Sequence, residues 1–142
     1  MGEKIGDPDM NATMTEQIAY RLESEKPFDE VAKKLESLPP EHQFRVLAVH
    51  DVQATLKDKG LERGPLKIIE VCNAGFAHKA LQQDVNVALF MPCRFTVYTE
   101  GSKTIVTLAR PSSIAAMLPE SGLEELAGKV EDTLKKIMHE AV

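Results

Sequence analysis

Two cysteines, each beside a polar residue, are the side chains best suited to chemistry: Cys72 precedes Asn73, and Cys93 stands between Pro92 and Arg94. The thiolate, not the thiol, is the nucleophile and soft-metal ligand, and a helix N-terminus or a neighbouring guanidinium lowers the thiol pKa. Cys72 meets the first condition if a helix begins after Asn73. Cys93 meets the second only where strand alternation breaks, since successive side chains on a strand point to opposite faces. The competing reading makes both small buried hydrophobes, as free cysteines commonly are. Their separation rules out a Cys-x-x-Cys redox motif, although neighbouring strands could still bring them together.

Glu70 interrupts the apolar series Leu66, Ile68 and Cys72, so its carboxylate sits at a sheet edge or in a cleft. Arg94 and Tyr98 share one side of their segment with Asn86. That side is either a polar patch or the wet face of an antiparallel sheet. Arg94 is suited to hold a carboxylate or another anion by a bidentate contact. His42, His50, His78 and His139 are scattered without an HxH or HExxH spacing, so no metal site is expected. His50-Asp51 is either an acid–base pair or a solvated turn. No GxSxG elbow is present, and Gly60 and Gly64 match no phosphate-binding loop.

The elements that must position these groups follow from periodicity. Residues 1–13 are polar and aperiodic, which predicts a mobile arm before a single domain over 14–142. Ile18, Tyr20 and Leu22 alternate as in a half-buried strand. Pro27 opens a helix whose stripe is Phe28, Val31, Leu35 and Leu38, and Pro39-Pro40 stops it. A strand over 44–49, a short helix capped by Asp51 and ended at Gly60, and a strand over 66–72 come next. Residues 74–83 read as a helix with Phe76, Ala77, Ala80 and Leu81 on one face. From Val85 to Val97 apolar residues alternate without a break, which predicts one long strand, bulged, bent or at an edge at Pro92. A turn at 100–102 leads into a strand over 103–108, and Pro111-Ser112-Ser113 opens an irregular connection. The final helix carries Leu123, Leu126, Val130, Leu134, Ile137 and Ala141. This order of strand, helix, four strands and helix predicts an α+β two-layer sandwich, an antiparallel sheet with helices packed on one face.

Composition narrows the function classes. A chain of 142 residues with 43% apolar content can build a core without staples or metal. The net charge of −5, with basic residues only in isolated pairs, gives no phosphate-binding footprint, so no nucleic-acid partner is expected. No apolar stretch approaches the ~18 residues of a membrane span. The N-terminal residues lack a signal-peptide core, and Gly6 stands where myristoylation needs Ser or Thr. A cytoplasmic protein with reduced thiols is the expectation.

Glu70-Val71-Cys72-Asn73, Ala77, and Met91-Pro92-Cys93-Arg94-Phe95-Thr96-Val97-Tyr98 resemble domain-of-unknown-function family 302. Lys57-Asp58-Lys59-Gly60 and the Glu100-Gly101 hairpin fit the same pattern, and the resemblance spans roughly residues 14–111. Family members often carry Pro after Cys-Asn; Ala74 stands here, so this helix start is less rigid. The resemblance implies a fold similar to the TATA-binding-protein-like arrangement, and a homodimer. It supplies no activity, and a shared fold does not transfer DNA binding.

Taken together, these residues point to a ligand-binding module with a pocket between sheet and helix, its polar groups drawn from Glu70, Cys72, Asn73, Cys93 and Arg94. No particular cofactor is indicated. One alternative is thiol redox, sulfur-transfer or soft-metal chemistry at Cys72 and Cys93; another is a structural or interaction homodimer. A pocket open beside the thiols favours the first two, and a closed core around them favours the third.

Overall fold

Apolar residues at alternate positions build five strands, which a computed structural model describing residues 17–142 joins into one antiparallel sheet. In chain order the elements are β1 (Ala19–Ser24), α1 (Phe28–Ser37), β2 (Arg45–Asp51), α2 (Val52–Lys57), β3 (Leu66–Cys72), α3 (Ala74–Gln83), β4 (Cys93–Glu100), β5 (Lys103–Ala109), α4 (Pro111–Met117) and α5 (Glu124–Ala141). Short 3-10 helices lie at Pro39–His42 and Val85–Phe90. The sheet order is β1-β5-β4-β3-β2, so β4 is central between β5 and β3, and β1 and β2 are the edges. The order read from the sequence and the two-layer α+β architecture both hold.

Register decides which side chains reach the core. Ile69 stands opposite Phe95 and Val71 opposite Cys93, whereas the intervening Glu70 stands opposite Arg94. Side chains alternate across a sheet, so Glu70 and Arg94 share the face that the long helices leave open. On the covered face Ile69, Val71, Phe95, Val97, Val106 and Leu108 are buried beneath Val31 and Leu35 of α1 and Leu134, Ile137 and Met138 of α5. The C-terminal turns of α5 are also tied to β1. The Tyr20 hydroxyl and His139 Nε2 are 2.7 Å apart, and the Lys135 ammonium lies 4.5 Å above the Tyr20 ring. On the open face, Arg21 bridges Glu23 at 2.9 Å and Glu100 at 3.0 Å, across strands whose Ile105 is fully buried.

The structure corrects two readings. Residues 85–97 are not one strand: Val85–Phe90 coil as a 3-10 helix, and β4 begins only after Pro92. The Asp84 side chain accepts the Asn86 N–H at 2.9 Å and starts the coil. Side chains three apart align in such a helix, so Val87 and Phe90 turn inward while Leu89 is 80% exposed. Alternation therefore misplaces Leu89 in the core and Asn86 beside Arg94. Likewise Pro111-Ser112-Ser113 opens a helix, with Pro at its first position, not an irregular connection. Phe28 and Leu126, expected in the core, are only half-buried, while Ile18 is exposed. The polar arm at 1–13 lies outside the described residues.

This difference is measurable. Leu35→Ala, in the closed core, should cost roughly 2–5 kcal/mol in urea unfolding. Leu89→Ala should stay within about 0.5 kcal/mol, as an exposed site does. A large loss at Leu89 would restore the strand reading.

Candidate functional site

The core is divided. Besides the main cluster, Val87, Ala115 and Leu123 form a second one, joined by Ala80, Met91, Ile114, Leu118, Leu126 and Ala127. A half-open crevice runs between the two, with a cavity of about 90 Å³ at its centre. The end of the sheet supplies Val71, Cys72 and Cys93. Phe76, Ala77 and Ala80 come from α3, Pro111, Ile114 and Ala115 from α4, and Leu126, Ala127 and Val130 from α5. Phe44, Val87, Phe90 and Met91 close the remaining sides.

Local sequence explains each wall. β3 ends at Cys72, and the Asn73 side chain caps α3 by accepting the Phe76 N–H at 2.9 Å. Its amide nitrogen donates to the Gln43 carbonyl at 2.8 Å, fixing the cap to the entrance of β2. A Cβ at position 75 would press on Asn73 Oδ1 at 3.3 Å, which accounts for Gly75. The wall formed by α4 is held by Glu131, whose carboxylate accepts the Ser112 N–H at 3.0 Å and Arg110 Nε at 3.1 Å. Lys135 Nζ lies 3.0 Å from the same carboxylate. Glu131 is thus an N-cap supplied through space, since α4 has no side-chain cap of its own.

Among the five candidates, Cys72, Asn73 and Cys93 line the crevice, and Glu70 and Arg94 do not. Glu70 Oε2 lies 3.1 Å from His50 Nε2 on the open face, so His50 pairs there and not with Asp51, which caps α2 instead. Cys93 packs against the main core, as unbroken alternation within β4 requires. Burial pushes its thiol up to about 11; Cys72 adds to the rise, and Arg94 offsets it only in part. Burial raises the Cys72 thiol as well. Asn73 has spent both ends of its amide on the backbone. Among the described residues no three His, Cys, Asp or Glu side chains converge on a metal position, and no helix is long and apolar enough to cross a membrane.

Sequence reasoning missed Glu131 and most of the apolar lining. The available signals were a carboxylate one residue after Val130 on the buried stripe, four residues ahead of Lys135, and a proline-led helix start lacking its own cap.

A five-stranded antiparallel sheet backed by helices, with an apolar crevice beside two neutral thiols, defines a small two-layer α+β domain with a half-open apolar site. The chain belongs to the family described as domain of unknown function DUF302, whose model matches residues 20–141. It is similar to the uncharacterized conserved protein DUF302 from Bacillus stearothermophilus, a crystal structure, at 28% identity and a TM-score of 0.83. That likeness covers 88% of this chain and 98% of the other. No curated protein matches.

Two measurements test this geometry. Burial raises the Glu131 carboxyl, but the Ser112 hydroxyl and N–H, Lys135 and Arg110 outweigh it and hold the pKa at about 2 against the ordinary 4.5. A depressed pKa adds stability that is complete above 4.5 and is lost as pH falls toward 2, on the order of 3 kcal/mol in all. Glu131→Gln should therefore lower stability at pH 7 by roughly 1.5–3 kcal/mol, and the gap to the wild type should close between pH 4.5 and 2 in denaturant titrations. A gap independent of pH would show that Glu131 acts through packing alone. For the thiols, Cys93 alone (in Cys72→Ser) should be alkylated slowly at pH 8, and Cys72 alone (in Cys93→Ser) faster. Alkylation of folded Cys93 at the rate of a free cysteine would contradict its burial.

Proposed function

We propose that this protein is a small-molecule-binding module whose ligand enters the crevice between the two apolar clusters. The observation that carries this reading is an apolar cavity left open between two separately packed cores, with no charged side chain in its lining. A fold of this size can close such a gap with larger side chains. Here Ala77, Ala80, Ala115 and Ala127 face it instead, and small residues there leave room for a guest. Arg94 takes no part, being across the sheet.

Thiol chemistry is the second reading, supported by two sulfurs on the wall of one cavity. Their raised pKa values weigh against redox and sulfur-transfer forms, which need a standing thiolate, and a soft metal would have to displace the thiol protons as it bound. We take the thiols to be reduced, as in a cytoplasmic setting, and the assembly to be the homodimer that the family resemblance implies.

Native mass spectrometry of freshly purified protein addresses ligand and assembly together. A mass twice that of the 15.7 kDa chain, with an added small molecule, is expected. The added mass should be lost in Ala80→Leu, which fills the cavity, while the fold persists by circular dichroism. Protein without added mass, whose melting temperature also ignores small neutral apolar probes such as cyclopentane and 1-butanol, would refute the binding reading.

A further inference from the structure

We infer that the crevice recognises one end of its ligand only: a compact, uncharged aliphatic terminus, with the polar remainder left in the open part of the groove. This rests on the binding reading above and names its chemical class.

The first ground is size. An apolar cavity near 150 Å³ holds a benzene ring, and the cavity here is about 90 Å³. It therefore takes a group smaller than a six-membered ring, such as a short or branched alkyl end. The surrounding empty space, about 640 Å³ when the open groove is counted, accommodates the rest of a small molecule. A lipid acyl chain is far too long for the enclosed part.

The second ground is the supply of polar partners. Charged side chains are missing from the lining. Asn73, its one amide, already donates to Gln43 and accepts from Phe76. The thiols are neutral at pH 7, because burial raises both. Thus a carboxylate, phosphate or ammonium carried into the cavity would lose its hydration and meet at most one spare N–H and one spare lone pair of Asn73, too few to replace it. Met91 and the Phe44, Phe76 and Phe90 rings offer only soft apolar contact. Selectivity follows: one end must be uncharged, and the other end is free to be polar.

The test compares probes that differ at their two ends, read by methyl chemical shifts of Val87, Ile114 and Met91. 1-Hexanol and hexanoate should both bind, each alkyl end first. Adipate and 1,6-diaminohexane, charged at both ends, should bind at least tenfold more weakly than hexanoate. In the series from ethanol to 1-hexanol, affinity should rise about fourfold per methylene until the cavity is full, and then flatten. Val87→Ala should move that break to a longer chain; the wild-type series stands alone if this variant is too unstable. Adipate binding as tightly as hexanoate, or a series without a break, would overturn the inference and leave the binding reading intact. Silence from every probe would overturn the binding reading itself.

Discussion

The buried carboxylate of Glu131 is the constraint on which the site depends. Glu131 is 4% exposed, on the covered side of α5. A carboxylate taken out of water at that depth survives only if donors replace its hydration. Ser112, Arg110 and Lys135 do so, and in doing so they fix where α4 begins. Buried ion pairs often contribute little net stability compared with well-packed apolar residues, yet removing one partner is costly. The group is therefore better understood as a position marker than as a source of stability. It sets α4 at a fixed offset from α5, and the offset leaves a gap.

That gap persists because the connection from β3 to β4 is not a tight hairpin. Residues 74–92 form α3 and a 3-10 helix: Phe76 packs on the main core, whereas Ala80, Val87 and Met91 pack with α4 and the start of α5. No residue of α3 is fully buried, and the inward contact of the 3-10 helix is Val87, with half-buried Phe90 lining the crevice. Beyond Phe76, this segment thus builds a second small cluster instead of merging with the main core. Two clusters with independent anchors, Asn73 at one end and Glu131 at the other, cannot both collapse onto the space between them. Interiors are otherwise packed to crystal-like density, so an unfilled apolar volume at such a junction has a structural cause.

Legibility in the sequence followed the strength of local signals. The bounds of β3 and α3 were readable, because Asn73 supplies a cap at a point where the period changes from two to near four. Asp51 marked the start of α2 in the same way. The alternation at 85–97 misled because a three-residue period and a two-residue period coincide over a short span: Val87 turns inward under both, and only Val85, Leu89 and Phe90 separate them. Glu131 was hidden for a different reason. Besides Lys135 one turn on, its partners at the start of α4 lie 19 and 21 residues away in sequence, and no periodic pattern encodes a cap delivered from another helix. Cys72 and Cys93 were found because residue type alone marks them, whereas the alanines that shape the cavity carry no such mark.

Residue type is also what made Arg94 and Glu70 attractive, and register is what separates them from the crevice. An alternating strand has one bit of information per residue, its face, and β4 spends it by sending Cys93 and Phe95 inward and Arg94 outward. The guanidinium that would have activated the neighbouring thiol is thereby turned to the other face, and its pull on Cys93 is outweighed by burial. The same alternation that removes the activating charge makes the cavity wall neutral. An electrically silent, sulfur-edged wall is poor at generating a nucleophile and good at excluding ions. The chemistry of the site is therefore set less by the reactive residues it contains than by the charged ones that the sheet keeps out.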